Sequence, residues 1–159
     1  MNEQAQTGRA VTRIVSGGQT GVDRAALDVA LELGVPCGGW CPKGRLAEDG
    51  PLPARYPLDE TPTAEYAERT AWNVRDSDGT LILTWGPPTD GTAFTEYVAH
   101  EKGKPCLVVD LMENADVREA RAWLKANRIR VLNVAGPRAS KCPGLYEDAC
   151  AFLKALLMC

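Results

Sequence analysis

An α/β domain, laid out as a three-layer sandwich on a five-stranded and mainly parallel sheet, is the fold this sequence predicts. Short apolar, β-branched runs alternate with stretches of helical periodicity, and two of those runs, Leu81–Leu83 and Leu107–Val109, are apolar without a break. Alternating strands and helices imply right-handed crossovers and parallel pairing. A parallel strand covered by helices on both faces has no polar side to show, which explains the unbroken runs. Length agrees: 159 residues, 45% of them hydrophobic and 25% charged, make one domain with a full core.

Residues 1–10 read as a flexible polar lead-in and 11–159 as a single ligand-binding domain, since no linker or repeat divides them. Val11–Val15 is the first strand. The helix after it carries Val22, Ala26, Val29, Ala30 and Leu33 on one face and stops at Gly34. Val35–Trp40 is a weaker second strand, and Pro42 to Pro62 is a long loop. Thr61-Pro62 suggests an N-cap with proline at the first helical position, opening a helix that turns Tyr66, Ala67, Thr70, Ala71 and Val74 inward. Thr80–Thr84 is the third strand, Trp85–Asp90 a loop, and a helix spans about Gly91 to Lys102. Pro105–Asp110 is the fourth strand, expected to bury Leu107, Val108 and Val109 continuously. A charged helix covers about Ala115–Asn127, and Arg130–Val134 is the fifth strand. The last helix, about Pro143–Met158, buries Leu145, Ala149, Phe152, Leu153 and Leu156. Together these make a Rossmann-like order of elements.

Composition excludes several function classes. A net charge of −3 argues against a broad nucleic-acid-binding surface. No apolar run approaches the roughly 20 residues needed to cross a bilayer, and the polar start lacks the apolar stretch of a signal peptide, so a cytoplasmic protein is expected. Six cysteines in a chain this large need not form a disulfide framework. Cys106 and Cys150 fall in strand and helix patterns, where a thiol acts as a small hydrophobe. Cys37 and Cys41 are four apart but have no further ligands nearby, and the sole histidine, His100, is distant. No metal site is expected among them.

In an open parallel sheet, ligands sit beyond the carboxyl ends of the strands, where the strand order reverses. Four segments lie there. Ser16-Gly17-Gly18-Gln19-Thr20-Gly21 runs from a strand into a helix. Its glycines permit a tight turn and close backbone approach, and the helix start offers free N–H groups to an anion. It is neither a dinucleotide fingerprint nor a Walker loop. The alternative is a plain connection with Thr20 and Asp23 as a capping box. Asp23 repels bare phosphate at short range, so its roles are helix cap, acceptor for a ligand hydroxyl, or water-mediated holder of Mg2+. The second segment brings Trp40 to stack on a ring and Lys43 and Arg45 to neutralise phosphate, or else forms a solvated basic loop. The third, Asp90 to Glu96, opens another helix with Gly91, Thr92 and Thr95, and offers Glu96 as a general acid or base. The fourth, Asn133 to Lys141, adds Gly136, Arg138 and Ser140. Arg69 and Asn73, four apart on one helix, either point into the same cleft or form an ordinary polar stripe.

These segments resemble the putative molybdenum carrier family. The resemblance rests on Ser-Gly-Gly-Gln-Thr-Gly-Val-Asp-Arg-Ala (16–25), Gly-Gly-Trp-Cys-Pro-Lys-Gly-Arg (38–45), Ala-Glu-Asp-Gly (47–50), Glu-Arg-Thr-x-x-Asn-Val (68–74), Ser-Asp-Gly-Thr-Leu-Ile (77–82) and Asn-Val-Ala-Gly-Pro-Arg-Ala-Ser-Lys (133–141). It implies a Rossmann-like protein that binds molybdenum cofactor or a nucleotide, related to the Lonely Guy phosphoribohydrolases, and a homo-oligomer, dimer or tetramer. Those enzymes carry Pro-Gly-Gly-x-Gly-Thr-x-x-Glu. Here Pro87 to Glu96 keeps the Gly-Thr pair, lacks the double glycine, has Asp90 where a small residue is expected, and sets Glu96 one position late. One residue turns a helical side chain by about 100°. The expectation is therefore a binding or carrier protein for a phosphorylated pterin or nucleotide. The alternatives are a nucleoside 5′-monophosphate phosphoribohydrolase using Glu96 and Arg69, or a nucleotide-sensing module.

Overall fold

The computed structural model describes residues 10–158; all but the last residue of the expected lead-in, and Cys159, lie outside them. Five strands form the main sheet: β1 (Arg13–Val15), β2 (Cys37–Gly38), β7 (Gly79–Thr84), β8 (Cys106–Asp110) and β9 (Val131–Ala135). Their order is β2-β1-β9-β7-β8, and every pairing is parallel. Five helices cover it: α1 (Val22–Leu33), α2 (Tyr66–Arg75), α3 (Asp90–Glu101), α4 (Val117–Ala126) and α5 (Leu145–Leu157). The expected α/β sandwich is the fold.

Two cores flank the sheet. Leu81, Leu83, Leu132 and Val134 pack against α1, α4 and α5, with Ala26, Val29, Ala120, Leu124, Phe152 and Leu153. Across the sheet, Val74 of α2 meets Val98 and Ala99 of α3 in a smaller cluster. All five residues expected to be buried on α5 are buried there, and α1 ends at Gly34 with a left-handed φ of 72°. A glycine at that position avoids the strain a side chain would meet.

Three expectations need correction. The Pro42–Pro62 segment is not structureless: β3 (Trp40–Cys41) pairs with β6 (Asp59–Glu60), β4 (Leu46–Ala47) pairs with β5 (Gly50–Pro51), and Cys41, Ala47, Leu52, Tyr56 and Leu58 close a third core against Leu27. Thr61-Pro62 does not start α2. Thr61 is buried beside β3 and bonds the carbonyls of Cys41 and Thr63, and the helix begins at Tyr66. Strand β8 is half-buried throughout, so Leu107, Val108 and Val109 are not continuously covered. It pairs only with β7, and an edge strand lacks the neighbour that would cover its far side.

From β1 the chain steps to β2 on one edge, and from β7 to β8 on the other, with β9 between β1 and β7. The strand order therefore reverses at the centre of the sheet. The loops after β1, β7 and β9 diverge there and leave a crevice at the carboxyl ends.

Candidate functional site

A cleft of about 560 Å³ opens at that reversal. It is lined from the turn after β1 by Gly17 and Gln19, from the first turn of α1 by Asp23, from α2 by Tyr66, Ala67, Arg69, Thr70 and Asn73, and from the start of α3 by Thr89, Asp90, Gly91, Thr92, Phe94 and Thr95. The end of β9 and the loop after it supply Asn133 through Arg138, with Lys141, and Glu48 reaches in from the β4–β5 hairpin. Of the α2 face expected to turn inward, Val74 is buried and Ala71 packs beside it, whereas Tyr66, Ala67 and Thr70 form a cleft wall. Tyr66 and Ala67 are exposed, and Arg69, Thr70 and Asn73 continue the same helical stripe down to the sheet.

Each cation of the cleft has a carboxylate beside it. At the floor, Arg69 Nη1 lies 3.5 Å from Asp23 Oδ2 and donates to the Gly17 carbonyl at 3.0 Å, while Arg69 Nε is buried without a hydrogen-bond partner. Arg138 stands 3.4 Å from Glu48, and Lys141 holds Asp90. Burial pushes the Asp23 carboxyl up to about 6, against the pull of Arg69 and of the Gln19 and Gly136 N–H groups. Glu48 moves the other way: the hydroxyls of Ser140 and Thr20 hold it below the usual carboxylate range.

The glycine-rich turn is shaped by the protein's own packing. A Cβ at Gly17 would lie 2.1 Å from Arg69 Nη1, and one at Gly21 would lie 2.4 Å from the Pro137 carbonyl. At Gly136 it would meet the Leu83 carbonyl at 2.3 Å, and Gly18, at φ 79°, abuts Leu52 and Leu58. These glycines let Arg69 reach Asp23 and let three loops close on one another. Of the glycines lining the cleft, Gly17 and Gly136 have no room for a side chain, whereas Gly91 has open space there. The capping box does not form, since Gly21 takes the N-cap position with no side-chain cap. Thr20 instead accepts from the Ala139 N–H and donates to Glu48. Gln19 Oε1 accepts from the Glu48 N–H at 2.8 Å, and Ser140 donates to Glu48 through both its N–H and its hydroxyl. Ser16 hydrogen-bonds the Asp23 carbonyl from beneath.

The second predicted segment stands apart from the cleft. Trp40 Nε1 donates to Asp76 at 2.8 Å, its ring meets Trp72 edge-on, and Asn73 clamps its backbone from both sides through Oδ1 and Nδ2. Arg45 donates to the carbonyls of Leu52, Pro53, Tyr56 and Leu58, which ties the long loop together. Lys43 is exposed. Glu96 is half-buried on α3 and is not among the cleft residues; its charge bears instead on Cys106 of β8.

At the mouth of α3, Asp90 adopts φ 47°, a left-handed conformation that costs about 1 kcal/mol or more for a residue with a side chain. Thr92 and Thr95 are buried behind it, and Thr95 turns its hydroxyl to the Gly91 carbonyl. Across the sheet centre Asn133 donates to Thr80 at 3.2 Å. Glu48, Tyr66 and Phe94 are cleft residues that sequence reasoning did not single out. Glu48 lay within one of the motifs above and Phe94 within the third candidate segment, whereas Tyr66 carried no signal beyond helical periodicity. Among the described residues no group of three or more His, Cys, Asp or Glu side chains is arranged to hold a metal ion, and no helix is long and apolar enough to cross a membrane.

Residues 14–157 match the model of the circularly permutated YpsA SLOG family. The chain is also similar to a solved structure from Syntrophus aciditrophicus, named putative molybdenum carrier protein. The two share 48% identity over 94% of this chain and 96% of that one, with a TM-score of 0.89. No curated protein matches.

Proposed function

The chain belongs to the circularly permutated YpsA SLOG family, and from that premise we propose that it is a binding or carrier protein for a small phosphorylated ligand, either molybdenum cofactor or a nucleotide. The observation that carries this reading is the cleft itself: about 560 Å³ at the sheet's reversal point, walled by three cations and the open backbone of Gly91 at a helix start. That volume lies within the usual range for small-molecule sites. The name of the similar Syntrophus aciditrophicus protein supports the carrier reading.

The donors fit an anionic guest under one condition. Arg69, Arg138 and Lys141 each have a carboxylate partner, so the cleft is close to neutral. A phosphate must take Lys141 from Asp90 and Arg138 from Glu48 before it gains their charge. Those two pairs are partly exposed and weak, which makes the exchange inexpensive. The Arg69–Asp23 pair is buried and stays, so the phosphate sits at Gly91, Lys141 and Arg138, while the floor offers polar groups to the rest of the ligand. No Mg2+ ion is needed for that arrangement, because the cations are supplied by side chains. A homo-oligomeric, cytoplasmic protein without nucleic-acid or membrane partners completes the proposal.

Titration calorimetry with guanosine 5′-monophosphate and with a phosphorylated pterin tests it. Saturable binding that weakens at least tenfold in Arg138→Ala/Lys141→Ala supports the site. Absence of binding, or binding indifferent to those changes, overturns it.

A hydrolytic reading has one observation in its favour. Asp23, titrating at about 6 beside Arg69 on the cleft floor, is placed to move a proton near neutrality, and Glu96 lies outside the cleft. It predicts release of free base from a nucleoside monophosphate, lost in Asp23→Asn.

A further inference from the structure

Two aromatic side chains at the mouth of the cleft belong to none of the buried cores. Tyr66 opens α2 and is 48% exposed, Phe94 lies in the second turn of α3 and is 37% exposed, and both line the same cleft, one from each helix. Exposed aromatic rings normally either pack or bind, because leaving them in water forfeits the burial they offer. Each is also held in place by a neighbour. The Arg69 guanidinium lies 5.3 Å from the Tyr66 ring centroid, and the Tyr97 ring stacks beside Phe94 at 6.3 Å and 29°. An ordered ring loses little freedom when a ligand settles on it.

We propose that Tyr66 and Phe94 are the specificity residues of the cleft, stacking on a planar heterocycle, so that the site takes ring-bearing phosphates rather than phosphosugars or inorganic phosphate. The inference rests on the phosphate-binding reading of the same cleft and adds the other half of the ligand. Helical spacing gives the ligand its direction. Phe94 is three residues beyond Gly91 and so lies on the same face of α3 one turn further along, which puts the stacking surface next to the phosphate seat. Tyr66, Arg69 and Asn73 form one stripe on α2, so a ring against Tyr66 lies above Arg69 and the Asp23 carboxylate. That carboxylate accepts hydrogen bonds from N–H groups on a ring edge. Stacking suits the task because every heterocycle has a π-face, and the carboxylate then selects among rings by their donors. Trp40, which sequence alone suggested for stacking, is committed to Asp76 and Trp72 outside the cleft.

Calorimetry on the full chain with four probes tests this: guanosine 5′-monophosphate, guanosine, ribose 5-phosphate and inorganic phosphate, each against the wild type, Tyr66→Ala, Phe94→Ala and the conservative Tyr66→Phe. Guanosine 5′-monophosphate should bind most tightly, and each alanine change should weaken it on the order of tenfold. The two probes without a planar base should be unaffected by those changes, and Tyr66→Phe should retain binding. Equal weakening of probes with and without a planar base, or no weakening of either, overturns the stacking assignment and leaves the phosphate reading standing. Binding of guanosine alone, lost in the alanine variants, with no gain from its phosphate, upholds the stacking and sinks the phosphate reading. If none of the four probes binds, both fall.

Discussion

Replacing Asp23 with asparagine should make the protein more stable above neutral pH, although the change breaks a buried ion pair. The Asp23 side chain is 9% exposed and its carboxyl titrates at about 6, against its ordinary 3.8, because burial outweighs the attraction of Arg69 3.5 Å away. Its folded-state pKa is thus raised above the unfolded value. Below 3.8 the group is neutral in both states and carries no penalty. Between 3.8 and about 6 the folded protein holds a proton that the unfolded chain has released, so stability falls as pH rises, and above about 6 the loss is complete. At about 1.4 kcal/mol per pH unit, the gap amounts to about 3 kcal/mol. Asparagine has the shape of the neutral carboxyl, and its Oδ1 can still accept from the backbone N–H groups of Gln19 and Gly136 that face Asp23. Urea denaturation of wild type and Asp23→Asn at pH 8 and at pH 4 measures the difference. The variant should gain about 3 kcal/mol at pH 8 and almost nothing at pH 4. A variant less stable than wild type at pH 8, or a difference that does not change with pH, would refute the assignment of Asp23 as a group kept charged at a cost.

Other substitutions separate packing from binding. Gly17→Ala drives a methyl group into the space of Arg69 Nη1, so the guanidinium must leave Asp23; nucleotide binding measured by calorimetry should fall at least tenfold while circular dichroism stays native. Gly136→Ala meets the rigid Leu83 carbonyl instead of a flexible side chain, and should cost about 2 kcal/mol or more in denaturant unfolding. Arg45→Met removes donors to four carbonyls of the long loop and should lower stability by at least about 2 kcal/mol; a drop in ligand affinity with stability intact would mean that Arg45 serves the ligand instead. Asn73→Ala frees both backbone groups of Trp40 and should cost about 1–3 kcal/mol in the same measurement.

Elements with a strong local period were legible in the sequence. The α1 stripe ending at Gly34, the apolar β7 run and the five buried residues of α5 all depend on neighbours within a few positions. The place of the cleft was legible too, because strand ends and loops follow from element order alone. What periodicity does not convey is which medium a helix face meets. The Tyr66–Ala67–Thr70 stripe has the spacing of a core face and lines a cleft. Two-residue strands such as β3 and β4 are too short to show a period, so the order in Pro42–Pro62 was hidden. The role of the glycines depended on partners remote in sequence: Gly17 makes room for Arg69, and Gly21 for the Pro137 carbonyl. Glu48 gathers Thr20 and Ser140 across 28 and 92 positions, a convergence no local pattern records.

The central claim, that the cleft at the sheet's reversal holds a small phosphorylated ligand, is tested most directly by native mass spectrometry of the protein purified without oxygen. The wild type should carry a bound mass that releases a phosphorylated pterin or nucleotide on denaturation, and Arg138→Ala/Lys141→Ala should come through the same purification largely without it. A wild type that never carries such a mass, even after incubation with guanosine 5′-monophosphate or a phosphorylated pterin, would contradict the account, as would a double variant that retains it in full.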